Sequence, residues 1–232
     1  MAKKVERPVG VIVDPLPIGN VPDLRPLHGR WMRLVPVSAV KHAADLWASF
    51  DGKDPEGHIW TYLGYGPFPS LEAFTEWLES REAARDPWFY AFVRRDSNRA
   101  VGMGAFMRND PANGAIEIGH IWMSPELQKT REATEVIYLM MRHCFEDIGV
   151  RRLEWKCDSL NAPSRKAALR FGFTFEGIFR QHFIVKGRNR DTSWFAMIDS
   201  EWPQARAAFE TWLRDENFDK KGVQKAKLQV RI

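Results

Sequence analysis

Between Ala115 and Phe171 the chain passes twice from a strand into a helix, with a single helix and a single strand between the two passages. "EIGHIWMS" is a strand ending at Ser124. A helix from about Arg131 to Ile148 follows, with Ile137, Met140, Met141, Cys144, Phe145 and Ile148 on one broad face and Gly149 as its stop. "RRLEWKC" alternates, with Leu153, Trp155 and Cys157 to one side and Glu154 and Lys156 to the other. "NAPSRKAALRF" is a short helix closed by Gly172. A strand that returns through a crossover helix lies parallel to its neighbour, so both helix N-termini emerge at the same end of the sheet. Helix N-termini carry unpaired N–H groups and a partial positive charge. A pyrophosphate lying across that edge is a natural guest.

The rest of the chain supplies the sheet to which this edge belongs. "GRWMRLVPVS" is a strand ending near Pro36, and Ser38 caps a helix through about Phe50 with Val40, Ala44 and Trp47 as its apolar face. Residues 51–69 are rich in glycine, proline and aromatics. They form a long loop with a helical turn near Trp60, and loops of this length are usually functional. Ser70 caps a helix to about Arg85, with Phe74, Trp77 and Leu78 inward. "WFYAFVRR", "AVGMGAFMRND" and "GAIEIGHIWMS" are strands, the last two joined as a hairpin through "NDPANG". Strands at roughly 173–185 and 192–199 flank "KGRNRD", and "SEWPQARAAFETWLRDE" is a C-terminal helix. The class is mixed α+β. Three parts are expected: a proline-rich arm (1–28), a body (29–200), and a C-terminal helix with a basic tail (201–232). Pro8, Pro15, Pro17, Pro22 and Pro26 keep the arm out of helices and central strands.

Composition excludes several functions. The net charge of +4 is a mild excess, part of it in Lys220, Lys221, Lys225, Lys227 and Arg231. That run reads as a solvated tail, so no nucleic-acid partner is expected. The weak positive field suits an anionic ligand. Cys144 and Cys157 have neither metal spacing nor a disulfide framework, and read as buried thiols. No metal site is expected. No apolar run approaches the ~18 residues of a membrane span, and the first residues lack a signal-peptide core. The expectation is a cytoplasmic, membrane-free monomer or homodimer. GxGxxG and Walker patterns are absent from the sequence.

At the first junction, Gln128, Lys129, Thr130 and Arg131 add donors and two cations to the helix end. At the second, Asn161 is the N-cap, Pro163 sits in the first turn, and Ser164 lies one turn along on a similar face. Read singly, each is also an ordinary helix start. Read together, they resemble a GNAT-type N-acyltransferase of the branch typified by the ribosomal-protein alanine N-acetyltransferases, over about residues 29–200.

The resemblance implies a GNAT-type fold: a central mixed, mostly antiparallel twisted sheet of about seven strands, splayed around a coenzyme A site and flanked by helices. It implies acetyl-CoA as acyl donor. The family's phosphate loop, Gln/Arg-x-x-Gly-x-Gly/Ala, falls on Gln128, Lys129, Thr130, Arg131, Glu132 and Ala133, followed by Thr134. Arg131 replaces its first glycine, which the right-handed backbone of a first helical turn accommodates. "DSLNAPSRKAALRFGFTFEG" resembles the family's Asn-x-x-Ser helix. That implies Asn161 on the pantetheine arm and Ser164 near the thioester sulfur. "EIGHIWMS" resembles the splayed strand, whose end, Trp122, Met123 and Ser124, pairs with pantetheine through backbone groups. Its Glu117 then serves as general base.

Acyl transfer to an amine needs a neutral amine, a donor for the oxyanion and a proton for the thiolate. By strict alternation Glu117 shares a face with Gly119, Ile121 and Met123, while His120 falls on the other. An ion pair with a basic neighbour is the ordinary alternative for Glu117. Ser164 donates to the departing sulfur, and a backbone N–H near Met123 holds the thioester oxygen. Trp60, Tyr62 and Tyr65 in the long loop are candidate contacts for the amine substrate. That loop, with Phe68, is a candidate lid, as is the Lys186–Asp191 turn, and Arg180, His182 and Arg188 are candidates to orient an acidic acceptor. The expected reaction moves an acetyl group to a primary amine, the α-amine of a small molecule or of a protein N-terminus. The alternatives are a coenzyme-A-binding regulatory protein without turnover, or an acyltransferase using another donor such as succinyl-CoA.

Overall fold

The computed structural model describes residues 7–17 and 20–230. The first six residues of the proline-rich arm, and Arg231 of the basic run, lie outside the described residues. In chain order the elements are β1 (Leu27–His28), β2 (Met32–Pro36), α1 (Ala39–Phe50), a 3-10 turn at His58–Trp60, α2 (Leu71–Glu82), β3 (Trp88–Arg94), β4 (Ala100–Asp110), β5 (Ala115–Met123), α3 (Arg131–Arg142), β6 (Arg152–Asp158), α4 (Ala162–Arg170), β7 (Thr174–Val185), β8 (Arg188–Ile198) and α5 (Trp202–Trp212). The strands form one eight-stranded sheet in the order β1-β2-β3-β4-β5-β6-β8-β7. Among the described residues every pair is antiparallel except β5 with β6. The strand beyond the seven expected is β1, two residues at the sheet edge directly after Pro26, where a proline interrupts no ladder.

Alternation along the strands divides the core between the two faces. Tyr90, Phe92, Phe106, Ile116, Ile118, Leu153 and Phe195 pack under α3 and α5. Phe89, Ala91, Val93, Met103, Ala105 and Trp122 pack under α1 and α2. Each large side chain fully buried this way contributes about 1.5–3 kcal/mol. On α1 the expected stripe is one position out of phase. Val40 is 95% exposed, and the buried stripe is Ala39, Ala43, Leu46 and Phe50, because Phe50 must reach Trp60 and Trp122. Ser38 occupies the cap position, but its hydroxyl makes no cap bond; the Ala39 N–H donates to Glu82 on α2 instead (2.7 Å).

Other boundaries shift for local reasons. Beyond Arg142 the third helix widens into a π-helical turn, His143–Ile148, which keeps Cys144 and Ile148 buried up to Gly149 (φ 77°). The last hairpin turns on Lys186 and Gly187 alone, both left-handed (φ 49° and 72°), so β8 starts at Arg188. The basic run is pinned rather than free. Trp212 Nε1 donates to Gln224 Oε1 and to the Ala226 carbonyl (both 3.0 Å), and Leu228 is buried, while the lysine side chains are exposed.

One anchor had no counterpart in the sequence reading. Glu135, buried on α3, accepts the backbone N–H groups of Arg30, Trp31 and Met32 at 2.6, 2.9 and 2.8 Å. This carboxylate fixes the start of β2 against α3. Gly29 is required beside it, since a Cβ there would stand 2.5 Å from the carboxyl carbon.

Candidate active site

The sheet opens between β5 and β6. These strands pair at only three positions, Ala115↔Arg152, Ile116↔Leu153 and Glu117↔Glu154. Beyond them β5 stays with β4 as far as Gly102↔Met123, and β6 stays with β8 as far as Asp158↔Thr192. A gap therefore starts at Glu117 and widens toward the N-termini of α3 and α4, which follow the two strands.

Two bulges build the closed end of the gap. Both sit on non-glycine residues in the left-handed region, Arg108 (φ 48°) and His120 (φ 50°). At the second, Met103↔Trp122 and Ala105↔Gly119 leave two β5 residues opposite one on β4. The extra residue inverts the alternation beyond it. Ile121 and Met123 pack with the α3 side and Trp122 with the α1 side. They do not share the face of Glu117, as strict alternation predicted. His120 lies against Tyr65 (5.6 Å) and Phe89 (5.1 Å), on the α1–α2 side of the sheet rather than away from it.

Glu117 is 3% exposed. Its Oε2 accepts from Arg108 Nη1 (2.8 Å) and from Lys156 Nζ (3.0 Å), while Oε1 lies toward Gly119, 3.3 Å from where a Cβ would stand. Lys156 also meets Glu154 (2.5 Å) and stands over the Trp194 ring (3.9 Å). The carboxylate is thus clamped through one oxygen. The ion-pair reading of Glu117 describes that oxygen, and the second oxygen is left for a reacting group.

At the α4 N-terminus, Asn161 Oδ1 accepts the Ser164 N–H (3.1 Å), a cap bond that leaves Nδ2 for another partner. Ser164 Oγ accepts from Trp155 Nε1 (3.0 Å), which turns its own hydrogen elsewhere. Beside it Cys157 is buried, and burial pushes its thiol pKa up in spite of the Ser164 hydroxyl. Cys144 is buried and raised likewise. Protonated, enclosed thiols are poor nucleophiles.

The phosphate loop differs from expectation in its side chains. Arg131 turns away from the junction, stacked over Trp31 (3.9 Å) and Phe218 (4.8 Å) and paired with Asp215 (3.1 Å). Its backbone is ordinary first-turn helix; the left-handed residue is Lys129 (φ 62°). Thr130 is used as the cap, accepting the Ala133 N–H (3.1 Å) and donating to the Leu127 carbonyl (2.6 Å). Gln128 Nε2 donates to the Met123 carbonyl (2.9 Å). Thr134 is buried and holds Arg170 of α4 (3.2 Å). What remains for an anion is the pair of first-turn N–H groups of Arg131 and Glu132, together with the Lys129 ammonium. The buried Ser124 hydroxyl, at the end of β5, has no partner. The Ser124 N–H bonds to Val101 on β4 (3.0 Å), so by alternation the backbone of Met123 faces the gap. These groups fit a pyrophosphate followed by an amide-bearing arm.

Of the expected substrate contacts, Trp60 is 2% exposed and belongs to the core, packed on Phe50, Phe68 and Trp122. The Trp122 side chain is buried there too, which leaves only its backbone near the gap. Tyr62 bridges the long loop to the Leu160 carbonyl (3.1 Å), and Lys186 reaches from the last hairpin to the Trp60 carbonyl (2.8 Å). Tyr65 points inward with its hydroxyl buried and unpartnered, and burial pushes its pKa well up. Arg180 and Arg188 are exposed and make no site contact, whereas His182 has a buried, unpartnered Nδ1.

Burial, with Arg81, Arg108 and Arg190 adding to it, pushes the His120 pKa down to about 4. His120 is therefore neutral at pH 7 and a weak base. The unfolded chain takes up this proton near ~6.5 and the folded one near 4, so stability falls as the pH drops through that window. Replacing His120 with Gln should remove about 3 kcal/mol of that acid sensitivity. Chemical denaturation of both proteins at pH 7 and pH 4.5 measures it, and parallel losses in the two would disprove the assignment.

Comparison with known proteins follows the same outline. Residues 32–174 match the acetyltransferase (GNAT) domain model. A structure described as a GCN5-related N-acetyltransferase from Brucella melitensis is 45% identical, with a TM-score of 0.88 over 92% of this chain and 96% of that one. A probable acetyltransferase (GNAT family) from Chromobacterium violaceum ATCC 12472 is 40% identical, with a TM-score of 0.76 over 87% of this chain and all of the other. The ribosomal-protein-serine acetyltransferase of Escherichia coli (strain K12) is 29% identical over 111 residues, 47% of this chain and 62% of that one.

Proposed function

Because the chain belongs to the GNAT family of acetyltransferases, we propose that it transfers an acetyl group from acetyl-CoA to an α-amine, with Glu117 as general base. The observation that carries this reading is the gap itself. It is closed by a clamped carboxylate at Glu117 and opens toward two helix N-termini, one with free first-turn N–H groups and one with an Asn-Ser pair.

Bound acetyl-CoA supplies the thioester. The chain's own groups then divide the work. The Arg131 and Glu132 N–H groups and Lys129 hold the pyrophosphate. Asn161 Nδ2 and the Met123 backbone align the pantetheine arm, with a Met123 N–H at the acetyl oxygen. Glu117 Oε1 takes the proton that the amine loses as its nitrogen bonds to the acetyl carbon. Ser164, which accepts from Trp155 Nε1 and keeps its own hydrogen, donates that hydrogen to the sulfur as the carbon–sulfur bond breaks. The proton taken up by Glu117 then returns to Ser164 through solvent, so the amine's proton is balanced by the thiol that leaves and no covalent enzyme intermediate is required.

The phosphate half of this reading is tested by ligand-induced stabilisation. Coenzyme A at about 100 times its dissociation constant should stabilise the fold by roughly 2.7 kcal/mol, and pantetheine without phosphates should do much less. Asn161→Ala should lose about 1 kcal/mol with its cap and bind coenzyme A more weakly. Equal thermal shifts from the two ligands would remove the α3 junction from the site, and an unchanged affinity in the variant would reduce Asn161 to a cap.

A further inference from the structure

Arg190 stands half-buried on β8 with a charge that nothing close by balances. Its Nε donates to Thr192 Oγ1 (3.2 Å), its guanidinium lies over Phe183 (5.7 Å), and Asp158 and Glu117 act on it only at longer range. Two nearby cations do have counter-charges: Arg108 and Lys156 pair with Glu117, and Lys156 also with Glu154. Alternation puts Arg190 on the face of Thr192 and Trp194, where Lys156 lies against Trp194. Arg108 and Arg190 approach the same Phe183 ring, at 5.6 and 5.7 Å. A bulge in β7, with Gln181 left-handed (φ 50°) and its N–H on Asp191 (2.7 Å), lies beside His182. His182 Nδ1 and Trp194 Nε1 are both buried without partners. Burial lowers the Arg190 pKa, as fits a cation without a counter-charge.

A partly desolvated guanidinium with free donors is costly unless something completes it, and its planar fork matches a carboxylate. Phe179, Phe183 and Trp194 form an aromatic wall beside it, with Phe179 52% exposed. Two hydrogen bonds tie the long loop down, from Tyr62 to the Leu160 carbonyl just before α4 and from Lys186 of the last hairpin to the Trp60 carbonyl. A free amino acid carries a carboxylate beside its α-amine, whereas a protein terminus carries an amide there. We propose that Arg190 binds the carboxylate of the acceptor, which is a small apolar amino acid rather than a protein terminus. This rests on the α-amine acetylation reading above and names its substrate class.

Binding and turnover test it separately. With coenzyme A present, tryptophan fluorescence reports binding of L-phenylalanine and L-methionine against their carboxamides. Thiol release from acetyl-CoA reports turnover of the same four compounds. The wild type should favour each acid over its amide by about 100-fold. Arg190→Gln should bring that preference close to unity and Arg190→Lys should recover part of it, each with the coenzyme A thermal shift of the wild type. Differences in amine ionisation cancel when the preference is compared between enzymes. Amides bound as well as acids, a preference that survives Arg190→Gln, or no binding of either amino acid overturns the proposal. Acid-selective, Arg190-dependent binding without thiol release upholds it and instead removes the acetyl-transfer reading.

Discussion

In Glu117→Gln, kcat at pH 7 is expected to fall by about 10²–10⁴, and part of that loss should return as the pH rises toward 9. Glutamine keeps the size of the side chain and a polar contact for Arg108 and Lys156, but accepts no proton. At pH 7 only a minor part of an α-amine is neutral, and that part grows as the pH rises. The base is needed for the rest, and alkali replaces it. Ser164→Ala acts on the departing sulfur instead, so its slower turnover should show no such rescue. A carboxylate that only anchored Arg108 and Lys156 would behave differently. Its loss would lower the melting temperature and reduce kcat by the same factor at every pH. The pH–rate profile of the variant separates these outcomes.

Glu135→Ala is expected to lower stability by about 4 kcal/mol or more. It strands three backbone donors at the start of β2, each orphaned buried group costing about 1–3 kcal/mol. At roughly 2–4 °C per kcal/mol for a domain of this size, the melting temperature should drop on the order of 10 °C. Gly29→Ala acts on the same contact from the other side, driving a methyl group against the carboxylate. The two losses should therefore combine to less than their sum. A shift of a degree or two in Glu135→Ala would show that the carboxylate is a bystander.

The parts of the fold legible in the sequence were those set by local pattern. The alternation of Leu153, Trp155 and Cys157, the Asn161 cap and the Gly149 and Gly172 stops each act within a turn or two of the chain. Together they implied the parallel pair at the centre of the sheet. What was missed depends on contacts distant in sequence. Bulges place their left-handed residue on Arg108, His120 and Gln181 rather than on a glycine, yet the one at His120 reverses which side chains face Glu117. Arg131 resembles a phosphate ligand until Trp31 and Phe218 arrive to stack on it. Trp60 looked like a lid residue because an aromatic in a long loop gives no sign that Phe50, Phe68 and Trp122 will enclose it. Glu135 did carry a signal. An acid directly before the apolar run from Val136 to Met141, on a helix buried on most sides, is bound to be either a defect or an anchor. Arg190 had none, since its lack of a counter-charge exists only once the strands are assembled.

The most direct test of acetyl transfer to an α-amine uses one amino acid blocked at either nitrogen. Purified protein, acetyl-CoA and lysine blocked on its ε-amine are compared with lysine blocked on its α-amine, at pH 7.5, by thiol release and the mass of the product. Ionisation alone favours the free α-amine by roughly 10-fold or more, since an α-ammonium beside a free carboxylate loses its proton near ~9 and a lysine side chain near ~10.4. The geometry at Glu117 adds to that advantage. Acetylation of the α-amine with at least that preference is the predicted result; acetylation of the ε-amine at an equal or greater rate, or no thiol release with either compound, would contradict it.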